Sequence, residues 1–412
     1  RFGMKLLLKT LTPVHIGNGE TLKPLSYVID RSFIYAINME EFFKKLEAIQ
    51  KKDVYLKWIE PILYQLFELD SKIAKARDNL ELKKSINRQK RDLEGQLSLD
   101  LFIKEKCNKA PVEFVKNCVL YKIPFLSQSQ REGFRLFIKN GNGNVYIPGT
   151  EIKGSIRSAI LYSVLQDNNN YKILKSELEK FKTVLRGPQS PREKVSALKK
   201  ISNTLEGSLL RGSENKANFD FLRFIQVSDT THISSDKLRI ETTKMMGTER
   251  YTKTWVETII PSTEMEFELN IIKEINIYLE KLGISKLKKY SYIEEIFNAC
   301  YYRSKDLLEG DVRYFASKPE IVAFIEKLKK ENEPTAPLIR IGGGQGFLGI
   351  TIDLILGKKG DLRLYDEAIR EGVSLQRHWR TQKDNFPKTR RVVIDKYDTG
   401  KSPMGWVKIF GK

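Results

Sequence analysis

An α+β fold is predicted from three observations. β-Branched and aromatic segments with two-residue alternation recur in both halves of the chain, and a long Glu-, Lys- and Leu-rich stretch of helical character interrupts the first of them. The strand-like segments also come in runs and short hairpins instead of alternating singly with helices, which favours antiparallel pairing over a doubly wound parallel sheet.

Met4 to Thr12 alternates and reads as a strand entering the turn-rich Pro13-Val14-His15-Ile16-Gly17-Asn18-Gly19. Tyr27–Asp30 and Phe33–Ile37 read as a hairpin around Asp30-Arg31-Ser32. From Met39 to about Lys106 helix formers dominate, with proline only at Pro61. Val119–Phe125 and Phe134–Lys139 return to strand patterns. After Pro148-Gly149-Thr150, read as a turn and N-cap, Ile152, Ile156, Ala159, Ile160 and Ser163 fall on one helical face. Tyr171–Leu205 is charged and helical, and Gly207–Asn218 reads as a polar linker. Strands are expected at Phe221–Asp229, Leu238–Lys244, Tyr251–Ile259 and Met265–Ile272, the middle pair forming a basic hairpin. A mainly helical region follows over Ile293–Leu328.

Next comes the run Gly342-Gly343-Gly344-Gln345-Gly346-Phe347-Leu348-Gly349, five glycines in eight residues. It contains the spelling G-x-G-x-x-G, but a dinucleotide fingerprint needs a helix directly after it. Ile350–Leu356 alternates and reads as a strand, so a loop between two strands is expected and no nicotinamide or flavin cofactor.

The 412 residues suffice for two domains, here divided as 1–218 and 219–412, the first with a helical insertion at about 39–118. Lysine and arginine exceed the acids by 72 to 52, a net charge of +20 that makes a polyanion the first partner to consider. No apolar run approaches the roughly 18 to 20 residues of a membrane span, and no signal-peptide core is visible, so a cytoplasmic protein is expected. Cys107, Cys118 and Cys300 show neither disulfide nor zinc spacing. His15, His232 and His378 lie far apart, without metal-ligand spacing, and Gly400-Lys401-Ser402 fails as a phosphate loop because Asp395 replaces its first glycine. Asp30 and Asp229 are the most isolated acids, and each reads first as a turn or cap residue. No catalytic or metal-ligating set is predicted.

RNA contacts are predicted at several places. Glycine loops let phosphates reach backbone amides, which singles out Gly342, Gly343, Gly344 and Gly346. Lys153 and Arg157 stand one helical turn apart around Gly154 and Ser155, suited to adjacent phosphates. Lys244, Arg250 and Lys253 follow the second-half hairpin, and Arg380, Arg390 and Arg391 belong to a basic tail interleaved with Trp379.

The segments Leu11–Glu20 and Tyr146–Arg157 and the glycine run, in this order, resemble the RAMP superfamily of CRISPR proteins. Phe224–Thr230, Tyr27–Ile37 and Gly400–Trp406 look most like the fifth-subunit family of type III-A Csm effector complexes. The resemblance spans nearly the whole chain. It implies two RRM-like (ferredoxin-like) domains with helical insertions, crRNA and target RNA as ligands, His15 among the RNA contacts, and neighbouring backbone and small Csm subunits as partners. It further implies a non-catalytic role capping the 3′ side of the crRNA and supporting its maturation, with host nucleases engaged. The related backbone subunit cuts RNA with an aspartate in its early glycine-rich loop, whereas Asn18–Ser26 holds only Glu20 as an acid. The competing expectation is a crRNA-processing endoribonuclease with His15 or His378 as general base.

Overall fold

The computed structural model describes residues 3–30, 32–76, 79–125, 133–212, 217–247, 253–272, 274–351, 353–377, 387 and 389–412. In chain order, β1 (Gly3–Thr10), β2 (Gly17–Leu22), β3 (Tyr27–Ile29) and β4 (Phe33–Ile37) are followed by helices α1 (Met39–Ala48), α2 (Lys52–Lys75), α3 (Leu80–Glu94), α4 (Leu99–Cys107) and α5 (Pro111–Val115). Then come β5 (Val119–Pro124), β6 (Phe134–Phe137), α6 (Gly149–Val164), α7 (Asn168–Arg186), α8 (Pro191–Glu206) and β7 (Ile225–Val227). The rest comprises β8 (Leu238–Met246), β9 (Lys253–Ile259), β10 (Glu264–Ile271), α9 (Ile275–Lys281), α10 (Ile293–Tyr314), α11 (Pro319–Glu331), β11 (Leu338–Arg340), α12 (Phe347–Ile350), α13 (Leu354–Lys358), α14 (Leu362–Leu364), α15 (Glu371–Arg377), β12 (Arg390–Ile394), β13 (Gly400–Pro403) and β14 (Trp406–Gly411). The class is α+β.

Local chemistry explains several boundaries. Asn38 caps α1 by accepting from the amides of Glu40 and Glu41. Ser190-Pro191-Arg192-Glu193 forms a full capping box at the start of α8, with proline in the first turn where its missing N–H costs nothing. Asp30 closes the β3–β4 turn by accepting from the amides of Ser32 and Phe33 and from the Tyr35 hydroxyl, a structural task.

One sheet has the order β11-β14-β1-β10-β7 and is antiparallel throughout. Its strands β1, β7, β10 and β14, with α6 after the first and α10 before the last, occur along the chain as β-α-β-β-α-β. Leu6 and Leu8 of β1 are fully buried, each worth about 1.5–3 kcal/mol, in a core shared with Phe267, Ile409 and the apolar face of α6. The second sheet, β13-β12-β8-β9-β6-β2, contains one parallel pair, β6 with β9. A third, β3-β4-β5, supports the inserted helices α1, α2, α4 and α5 through Val28, Phe42, Tyr55, Phe102 and Phe114, and α3 packs on α2. Both larger sheets draw strands from either side of residue 218, since β1 lies between β10 and β14, and β6 pairs with β9.

Several local expectations are corrected. Among the described residues of 350–356 no strand forms: Ile350 ends α12, Leu354 begins α13, and the consecutive residues Ile355 and Leu356 are both buried, as a helix allows and a strand with one solvated face does not. The helix that a dinucleotide fingerprint needs is thus present after the glycine turn, whereas β11 pairs antiparallel to β14 and does not open a parallel βαβ unit. Gly207–Arg211 is not a loose linker but a wide helical turn that buries Leu209 and Leu210. The basic tail carries three strands, with Arg390 and Arg391 on β12.

Candidate nucleic-acid interface

Four segments remote in sequence meet beside His15. The Gly343 amide donates to the His15 carbonyl at 2.7 Å, and a Cβ on Gly342 would lie 2.3 Å from that same oxygen. Gly342 also has φ +69°, so no larger residue fits without strain. Its amide donates to Glu151 Oε2 on α6 at 3.1 Å. From the C-terminal motif, the Gly405 N–H donates to the Pro13 carbonyl (3.0 Å) and the Gly405 carbonyl accepts from Ile341 N–H (2.9 Å), while Trp406 N–H donates to Thr12 Oγ1 at 2.9 Å. The motifs read separately in the sequence thus form one interlocked structure.

Buried arginines hold the glycine run from behind. Arg340 donates to the carbonyls of Gly344 (3.2 Å) and Met404 (3.0 Å) and to Asp311 Oδ2 (3.2 Å). Arg303, 3% exposed, donates to the Gly349 carbonyl at 2.8 Å, and burial pushes its guanidinium down to about 10, still charged at neutral pH. These contacts correct the expected role of two glycines. The amides of Gly342 and Gly343 are already bonded to protein, so these residues serve close backbone approach and do not cradle phosphate.

His15 is 7% exposed, and its Nδ1 lies 2.7 Å from the Glu257 carbonyl. A carbonyl only accepts, so Nδ1 carries the proton and Nε2 presents a lone pair. Burial, together with the positive charges of Arg135 and Arg391, pushes the imidazole below 6.5 against the opposing effect of the Glu257 bond, a shift that favours the uncharged ring. Arg135, on β6 and exposed, was missed by sequence reasoning because a single arginine in a short strand carries no pattern. Arg391 donates to Thr243 Oγ1 (2.9 Å) and Thr254 Oγ1 (3.2 Å). Among the described residues neither arginine meets a carboxylate.

The other predicted contacts are distributed differently. Arg157 is tied to Asp220 through two bonds of 3.1 Å and to Glu206 at 2.6 Å, so it braces α6 against Asp220 instead of offering a free phosphate contact. Lys153, one turn earlier, is half-buried and makes no ion pair among the described residues; burial pushes its ammonium below 10.5. Ser155 is buried. Gly149 N–H, not Thr150, is the capped position of α6: it donates to Asp229 Oδ1 at 2.7 Å, giving Asp229 a structural task. Lys244 and Lys253 face each other across β8 and β9, and Lys253 is paired with Asp398 at 2.6 Å. Arg390 is 7% exposed and donates to Asp311 Oδ1 at 3.0 Å; an arginine buried on an acid is not available to RNA. Gly344 and Gly346 take φ +86° and +75° at the turn itself. Arg250, Arg380 and His378 lie outside the described residues.

Asp220 supplies a pH test. Burial alone would raise its carboxyl, but Arg157, the Leu222 amide and Arg211 hold it below 3.8. A depressed folded pKa adds stability that is complete above the unfolded value and is lost as pH falls through the folded one. Asp220→Asn is therefore expected to flatten the acid limb of a thermal-melting profile below about pH 4, leaving less pH dependence than the parent shows there.

No helix among the described residues is long and apolar enough to cross a membrane. The chain is similar to the Csm5 protein of Methanocaldococcus jannaschii, 24% identical over 98% of this chain and 88% of that protein. It is also similar to Csm5 of Streptococcus thermophilus, 24% identical over 68% of this chain and 67% of that one. Its fold resembles a chain of the cryo-EM Csm–crRNA–target RNA ternary complex of a type III-A CRISPR-Cas system, with TM-score 0.68, 20% identity, and 99% and 100% of the two chains covered. It likewise resembles the crystal structure of T. onnurineus Csm5, with TM-score 0.65, 17% identity, and 97% and 99% covered. The RAMP superfamily profile matches residues 7–350, embracing the His15 segment, the α6 motif and the glycine run that the fold brings together, and the chain belongs to that superfamily.

Proposed function

We propose that this chain is a non-catalytic RNA-binding subunit of a type III-A CRISPR Csm complex, capping the 3′ side of the crRNA and supporting its maturation. The observation that carries this reading is the joining of His15, the glycine run and the α6 motif beside Arg135 and Arg391, two cations without carboxylate partners among the described residues in a chain of net charge +20. Similarity over the whole chain to a component of a solved crRNA- and target-RNA-bound assembly supports the same partners here, together with neighbouring backbone and small Csm subunits and recruited host nucleases.

In this reading the five-stranded sheet with α6 and α10 is an RRM-like (ferredoxin-like) module, because its β-α-β-β-α-β chain order gives the spatial order β14-β1-β10-β7. The first and last strands of the chain complete it. The six-stranded sheet is assigned to the second half of the RNA-binding body, and α1–α5 to the insertion.

The test is a filter-binding titration of guide RNA against the chain assembled with its neighbouring backbone subunit, across a salt series and in chelator. Affinity is expected to fall steeply with salt, with the RNA recovered intact. Arg135→Ala and Arg391→Ala are each expected to reduce the log–log salt slope by about 0.7, the value for one phosphate contact on a single strand. Salt-independent or absent binding overturns the proposal, and specific cleavage lost on substituting His15 would establish the endoribonuclease instead.

A further inference from the structure

We propose that His15 Nε2 accepts a hydrogen bond from a ribose 2′-hydroxyl and so makes this site select RNA over DNA; the inference rests on the RNA-binding reading above. Four features carry it. The Nδ1–H bond to the Glu257 carbonyl commits the opposite nitrogen of the neutral ring to accepting. No protein donor reaches that nitrogen among the described residues, although His15 as a residue is only 7% exposed.

Two glycines flank the edge of the ring. A Cβ at Gly17 would stand 3.2 Å from Nε2, and one at Gly343 would stand 3.3 Å from Cδ2. Any larger residue at either place would press on the ring edge. Space is therefore kept beside a lone pair that the protein itself does not use.

The neighbouring charges define what fills it. Arg135 and Arg391 both act on the His15 ring and on each other, so positive charge that attracts a phosphate stands near the acceptor. The ligand must bring a neutral donor close to an anionic group. In a nucleic acid that pairing is the 2′-hydroxyl beside its own 3′-phosphate, the group by which a protein tells RNA from DNA. A protein carboxylate ligand would satisfy the arginines but bring no donor, and deoxyribose would leave Nε2 empty.

The experiment uses the chain assembled with its neighbouring subunit and a series of guide RNAs, each with one 2′-deoxy nucleotide, alongside the all-deoxy strand. One position in the series is expected to weaken binding to the unaltered assembly by about three- to tenfold, the worth of one hydrogen bond. His15→Phe, which keeps ring volume, and Gly17→Ala, which keeps the imidazole but narrows the slot, are each expected to abolish that positional sensitivity. Arg135→Ala should lower affinity for RNA and DNA alike. Should His15→Phe and Gly17→Ala both retain the deoxy-sensitive position, or should His15→Phe weaken RNA and DNA equally, the inference fails while the RNA-binding reading stands. Absence of any salt-dependent RNA binding by the unaltered assembly overturns that reading and this inference with it.

Discussion

Asp311→Asn is expected to cost about 3–5 kcal/mol, measured as a fall in the denaturant midpoint, because one carboxylate on α10 neutralises two buried guanidiniums. Arg340 meets Oδ2 at 3.2 Å and Arg390 meets Oδ1 at 3.0 Å, and the three side chains are 6%, 2% and 8% exposed respectively. An amide in place of the carboxylate removes the charge but not the two cations. They then remain in low dielectric with only carbonyls and aromatic faces around them, Arg340 over Trp406 and Arg390 over Tyr314. A partial rescue is expected from adding Arg390→Met, which deletes one of the stranded charges and fills similar volume.

The same substitution should reach the RNA interface. Arg340 fixes the Gly344 and Met404 carbonyls, and Arg390 immediately precedes Arg391 on β12, so Asp311 governs both the glycine run and the placement of a proposed phosphate contact. A loss of RNA affinity at temperatures where the variant is still folded would separate this positioning effect from global destabilisation. Unchanged stability would show that the pair is solvated in solution, contrary to its burial.

What the sequence made legible were short-range regularities. Two-residue alternation located β1, β8, β9 and β10, and helix-forming composition located α1–α4, because these patterns report which face a residue turns inward. The same rule failed at Ile350–Leu356, where tertiary hydrogen bonding took over: Arg303 draws the Gly349 carbonyl toward α10, and the chain folds into short helices that bury Ile355 and Leu356 together. It also missed β12, where attention to Arg390 and Arg391 as charges hid the inward-facing Val392 and Ile394 between them and the turn. The segments that meet beside His15 were visible as motifs, but the partners of their charged groups were not. Arg157 finds Asp220 and Glu206, 63 and 49 residues away, and Arg390 finds Asp311 79 residues away. No local periodicity encodes such partners, so cations that look alike in sequence divide into braces and exposed charges only after folding.

Gly342→Val sharpens that distinction between glycines. Its backbone is left-handed at φ +69°, which costs a branched residue about 1–2 kcal/mol before any contact is counted. The new Cβ would also fall 2.3 Å from the His15 carbonyl and 3.1 Å from Ile16 Cγ1, so the loop must move away and the Gly343-to-His15 bond is lost. Together these predict a loss of about 2–4 kcal/mol in chemical denaturation, accompanied by weaker RNA binding, since the wall of the His15 slot moves with the loop. Gly154→Ala on α6 is the contrasting control. Its Cβ meets nothing within 4 Å, so alanine at this exposed position of the helix should stabilise it by about 0.5–1 kcal/mol. If RNA affinity nevertheless falls in Gly154→Ala, an RNA backbone must approach α6 closely at that point, beside Lys153; if affinity is unchanged, the ligand is held by the His15 side alone. Equal stability of Gly342→Val and the parent would mean that the interlocked loop geometry does not persist in solution.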